Sequence, residues 1–107
     1  MRLTVLGSSG TYPGPGKACS GYLISEGDTR LLLDCGSGVL ASLQKHLPLK
    51  ALTGIVITHM HPDHFLDLVL LRYALVYGEQ PSPRPLPIYL PPGGCELWKR
   101  LTAPFQE

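Results

Sequence analysis

The chain has 107 residues, 44% apolar and only 16% charged, which excludes a disordered chain and leaves room for one domain with a modest core. A formal net charge of +1, with no block of like charges, offers no electrostatic footprint for nucleic acid or for an anionic membrane. The cysteines, Cys19, Cys35 and Cys95, are odd in number and form no Cys-x-x-Cys pair, which argues against a disulfide framework and for a reduced, cytoplasmic setting.

The apolar stretch from Leu3 to Leu6 is too short for a signal peptide and reads as a strand. No apolar run approaches the length that spans a bilayer. Gly7 to Gly16 follows as a loop punctuated by Pro13 and Pro15. Gly21 to Ser25 and Arg30 to Asp34 read as strands, joined by the hairpin connection Glu26-Gly27-Asp28-Thr29. Gly36 and Gly38 mark a sharp turn into a helix predicted from Val39 to Leu47, with Leu40, Leu43 and Leu47 on one face and Pro48 as its stop. Ile55-Val56-Ile57 is a β-branched run, as expected of a strand buried on both faces.

A helix is predicted from about His64 to Tyr77, ending at Gly78. It is nearly apolar all round, so it needs cover on most faces: either it is a central core helix, or it presents a face to more chain or a second subunit. Gln80 to Pro87 reads as a Pro-rich connector, Ile88 to Leu90 as a strand, and Cys95 to Leu101 as the start of a helix. Strands alternating with helices in the latter part predict an α/β sheet with some parallel pairing.

The chemistry concentrates in Thr58-His59-Met60-His61-Pro62-Asp63-His64, which holds three of the four histidines and a carboxylate. Imidazole and carboxylate suit zinc, and also iron or manganese. His59 and His61 are alternate residues leaving a strand, so an extended backbone points both the same way, toward one shared ion. Pro62 favours that extended conformation at His61. Asp63 and His64 lie where the chain turns into the helix, placed for a second ion beside the first; Asp63 also suits a helix N-cap. The loop follows a buried strand, where ligand sites of α/β sheets gather. His46, alone, reads as a solvated surface histidine, and Asp67 as a solvated helix residue or a brace for a ligand. Gly36-Ser37-Gly38-Val39-Leu40-Ala41 fits a dinucleotide fingerprint, but the next strand ends in Thr58-His59 rather than an acidic residue, so a tight turn accounts for the glycines. Ser8 or Ser9 in the Gly-rich loop could contact an anionic group or lie on plain surface.

His59-x-His61-x-Asp63-His64 resembles the signature of the metallo-β-lactamase superfamily, and Leu31-Leu32-Leu33-Asp34-Cys35-Gly36 resembles its earlier Asp-x-Gly motif. Leu6-Gly7-Ser8-Ser9-Gly10 and Cys19-Ser20-Gly21-Tyr22-Leu23 resemble its ribonuclease Z-like and phosphodiesterase-like branch. The resemblance implies an α/β fold, the N-terminal half of an αββα sandwich spanning residues 1–107. It implies His59 and His61 at a first zinc, Asp63 and His64 at a second, and Asp34 steadying the ligand loop. The family's second half carries another histidine, a bridging aspartate and a final histidine, yet no histidine follows His64 here. The expectation is therefore a fragment, inactive alone, that pairs with itself or with a missing half. The activity implied is hydrolysis of a phosphodiester, a cyclic nucleotide or an RNA 3′ end, with Asp63 orienting the nucleophile. Alternatives are thioester or lactone hydrolysis, and a non-catalytic metal-binding or dimerisation module.

Overall fold

The computed structural model describes residues 1–78 and 84–105. A five-stranded sheet carries the fold: β1 (Arg2–Gly7), β2 (Gly21–Glu26), β3 (Thr29–Leu33), β4 (Gly54–Val56) and β5 (Ile88–Tyr89), lying in chain order. β1, β2 and β3 pair antiparallel, whereas β4 is parallel to β3 and β5 parallel to β4. Gly27, at φ 54, makes the tight β2–β3 connection that a side chain would resist.

The parallel pairs need crossovers, and helices supply them. α1 (Val39–Leu43) links β3 to β4. α2 (Pro62–Phe65) and α3 (Leu68–Tyr77) lie between β4 and β5, and α4 (Gly94–Thr102) follows. Two successive right-handed crossovers running the same way put their helices on one face of the sheet. The core sits there: Leu23, Leu32 and Ile55 from the strands meet Val39, Leu43, Leu68 and Leu71 from the helices, all buried. Each such side chain contributes about 1.5–3 kcal/mol through burial.

The opposite face is apolar too. Strand register aligns Val5, Tyr22, Leu33, Val56 and Tyr89 in one row and Leu3, Ile24 and Leu31 in the next. Nothing among the described residues buries them: Leu3 is 62% exposed, Val5 58% and Tyr89 60%. Val56 is accordingly only half-buried, so the strand expected to be covered on both faces is covered on one. Leu66, Leu70, Val76 and Tyr77 are likewise exposed, so the apolar helix has an uncovered side rather than a central place in the core.

Two helices differ from expectation. α1 ends at Leu43, not Leu47, because its last turn tightens: Lys45 N–H bonds Ser42 O at 3.2 Å and His46 N–H bonds Leu43 O at 2.9 Å. The predicted 64–77 helix starts earlier and breaks at Leu66-Asp67. Distant partners take the bonds that would continue it: Asp67 N–H goes to Cys35 O (3.0 Å) and Asp63 O accepts from Ser20 N–H (3.2 Å). The connector expected over 80–87 lies partly outside the described residues, and 84–87 have no regular structure.

Candidate metal centre

Because β3 and β4 are parallel, their carboxyl ends emerge side by side. Asp34 leaves β3 and donates its N–H to Val56 O at 2.8 Å, while Thr58 and His59 leave β4. Asp34 adopts φ 62, a left-handed conformation that aspartate tolerates better than most residues. Its buried carboxylate is fully engaged. Oδ1 accepts Thr58 N–H at 2.7 Å, the Thr58 hydroxyl lies 3.0 Å from Oδ1 and 2.8 Å from Oδ2, and Oδ2 stands 2.9 Å from His64 Nδ1.

Proton counting extends the chain of bonds to His59. Thr58 has one hydroxyl hydrogen, which goes to the carboxylate, so its oxygen is left to accept from His59 Nδ1 at 2.9 Å. An ionised Asp34 can only accept, so His64 Nδ1 is the donor toward it. Both imidazoles thereby direct an Nδ1–H into the protein, which leaves Nε2 as the nitrogen that a neutral ring offers to a metal.

His61 caps α2 with φ −84 and ψ 144, extended as Pro62 requires. The rings of His59 and His61 lie stacked with centroids 6.1 Å apart, and those of His59 and His64 are 4.9 Å apart. Asp63 is not the N-cap; it sits within the first turn of α2. Its Oδ2 accepts Thr11 N–H at 3.1 Å and stands 3.5 Å from His64 Nε2. The Thr11 N–H bond holds the Asp63 pKa below the ordinary carboxylate value, partly opposed by desolvation and aided by its own N–H and by His64 and His61. The carboxylate is thus charged at neutral pH, and that charge is lost only as pH falls through the depressed value.

On a neutral ring, Nε2 and the facing carboxylate oxygen are two acceptors, a pair that a cation between them joins. A tetrahedral ion with bonds of about 2.1 Å sets neighbouring donors about 3.4 Å apart, close to the separation found. The donor set therefore fits a zinc-type ion at this pair. It is not a finished cage: among the described residues no three His, Cys, Asp or Glu side chains already meet at one ion-sized point. One hollow of about 640 Å³, bordered by Arg2, Arg30 and His46, is lined by none of the donors. Ser8 and Ser9 line another of about 460 Å³ with Lys17, Ser42 and Lys45, also without the histidines.

Of the donors expected at one ion, the rings of His59, His61 and His64 are neighbours, Asp63 stands beside His64 and Asp34 lies behind it, without meeting at a single point among the described residues. The sequence reading misplaced Asp67, which is neither solvated nor touching a donor. Asp67 is buried and its Oδ2 accepts Gly38 N–H and Leu40 N–H, each at 3.0 Å, closing the start of α1. Those amides are therefore spoken for, consistent with a turn rather than a nucleotide site. It overlooked Thr58 and Thr11; the parallel pairing of Leu33 with Val56 would have set Thr58 beside Asp34. Gly36 matters for the same reason, since a Cβ there would lie 2.1 Å from Asp63 O.

The sequence profile of the metallo-beta-lactamase superfamily matches residues 14–104. The chain is 38% identical over 104 residues to the probable metallo-hydrolase YhfI of Bacillus subtilis, covering 95% of this chain and 43% of that protein. The crystal structure of YhfI superimposes with a TM-score of 0.82, covering 94% of this chain and 40% of that one. The short form of human tRNase Z superimposes with a TM-score of 0.82 at 32% identity, covering 100% of this chain and 42% of that one. Ribonuclease Z of Mycolicibacterium paratuberculosis is 35% identical over 101 residues, covering 91% of this chain and 35% of that protein. The chain thus spans about two fifths of the length of such relatives.

Proposed function

The chain belongs to the metallo-β-lactamase superfamily and has the α/β fold of the N-terminal part of its solved members, and from that premise we propose that it contributes the first metal-binding half of a phosphodiester hydrolase. The observation that carries this reading is the facing pair of His64 Nε2 and Asp63 Oδ2, 3.5 Å apart, with the imidazole locked from behind by Asp34. His59, His61, Asp63 and His64 would hold one or two zinc ions, with manganese or iron as substitutes. A divalent ion held there would supply Lewis acidity for water activation and for the phosphate charge. Asp34 orients His64 directly and His59 through the Thr58 hydroxyl. Asp63, charged at neutral pH, would orient the attacking water while holding the ion.

The substrate class follows from chemistry and kinship together. The likeness to ribonuclease Z and tRNase Z supports a phosphodiester, and the net charge of +1 favours a small one, a cyclic nucleotide, over a long RNA. The apolar outer face of the sheet is where we place a partner, a second copy or a polypeptide resembling the remainder of the relatives. That partner would bring the donors this chain lacks. Metal analysis and turnover of bis-p-nitrophenyl phosphate by the assembled protein test the reading, with a thioester as the contrasting substrate. A zinc-loaded protein that cleaves the thioester and leaves the phosphodiester intact overturns the phosphodiesterase assignment.

A further inference from the structure

Thr11 reaches the candidate metal centre from a loop 52 residues away in sequence, and it does so in a conformation that threonine avoids. Its φ is 67, and Tyr12 N–H closes back on Gly10 O at 2.7 Å, so Thr11 is the centre of a γ-turn with positive φ, a rare and strained type. A β-branched residue is poorly suited there, and an unstrained turn was available with a glycine. The loop is also tied at its base: Ser9 N–H bonds Ala18 O at 3.0 Å, and Ser9 bridges Cys19. This geometry turns the Thr11 N–H outward onto Asp63 Oδ2, the same oxygen that faces His64 Nε2. A carboxylate oxygen has two acceptor directions, so the bond from Thr11 leaves one open.

We propose that Thr11 is a positioning residue for the metal centre, its main-chain N–H fixing the Asp63 carboxylate so that Oδ2 is presented beside His64 Nε2. The proposal rests on the metal-site reading above and goes beyond it by assigning the Gly-rich loop a part in metal affinity. The side chain of Thr11 has no role in it; the N–H and the positive φ do. Thr11→Gly keeps both, whereas Thr11→Pro has no N–H and cannot adopt that φ.

The test is zinc affinity of the assembled protein by chelator competition, together with amide hydrogen exchange in the metal-free protein. Thr11→Gly should bind zinc within about twofold of the parent, and Thr11→Pro about tenfold more weakly or worse, the usual loss when a ligand's hydrogen-bond support is removed. In the metal-free parent the Thr11 amide should exchange slowly, and in Asp63→Ala rapidly. That second measurement decides the matter should Thr11→Pro fail to fold. Zinc binding by Thr11→Pro equal to the parent, or a Thr11 amide indifferent to Asp63→Ala, overturns the proposal alone. An assembled parent protein with no affinity for zinc overturns the metal-site reading itself, and this proposal with it.

Discussion

Asp34 concentrates several demands on one side chain. It is buried, holds a positive φ, accepts from Thr58 twice over and anchors His64. Asp34→Asn preserves its shape and reverses part of its chemistry: an amide NH₂ must face either the Thr58 donors or the His64 N–H. We expect a loss of about 1–3 kcal/mol in urea denaturation, from a buried donor left without a partner. Zinc affinity should fall about 10- to 100-fold in the same variant, because the His64 tautomer is no longer enforced. Unchanged affinity would show that the imidazole needs no such support.

Cysteine chemistry is decided by burial at the same scale. Cys35 is fully enclosed, and desolvation, then the carboxylates of Asp67 and Asp34, push its pKa far above the ordinary thiol value. Cys19 is also buried with a raised pKa, whereas Cys95 is exposed. A thiol reagent at pH 8 should modify Cys95 alone in the native protein. The raised pKa also has a pH consequence with a definite sign. Above the ordinary thiol range the unfolded chain releases the Cys35 proton while the folded chain retains it, so stability falls as pH rises. Cys35→Ala should show a shallower alkaline decline.

At the scale of elements, local patterns were legible where local forces decide. The β2–β3 hairpin followed from its Glu26-Gly27-Asp28-Thr29 connection, and α4 lies where Cys95 to Leu101 was read as a helix. The His59–His64 loop was legible because four donors within six residues have few structural explanations. What escaped was set by contacts far apart in sequence. The break between α2 and α3 arises because Cys35 and Ser20 compete for the main-chain groups of Asp67 and Asp63. No periodicity in residues 62–77 announces that. Asp67 illustrates the same point, since its solvated reading failed to foresee a cap on a helix 27 to 29 residues away. Asp67→Ala strands two amides and should cost about 1–3 kcal/mol by chemical denaturation. Its effect on zinc affinity should be smaller than that of Asp34→Asn, because Asp67 touches α1 and no imidazole.

For the whole molecule, the dominant fact is a sheet covered on one side. Exposed Leu3, Val5 and Tyr89 continue a row of half-buried Tyr22, Ile24, Leu31 and Leu33, a contiguous apolar surface of the kind that marks an interface. The isolated chain should associate as its concentration rises, measured by sedimentation. Leu3→Lys with Val5→Lys should suppress that association while leaving the fold stable, since both side chains are already in solvent. A parent chain that stays monomeric at high concentration would mean that solvent alone suffices for this face. The sheet has one more consequence, in time rather than space. Its strands lie in the order in which a ribosome would release them. Each new strand can therefore dock against its predecessor as it emerges, without waiting for distant sequence to be made. Asp34 precedes every histidine of the chain, so the strand that ends in this carboxylate is released ahead of the residues it braces.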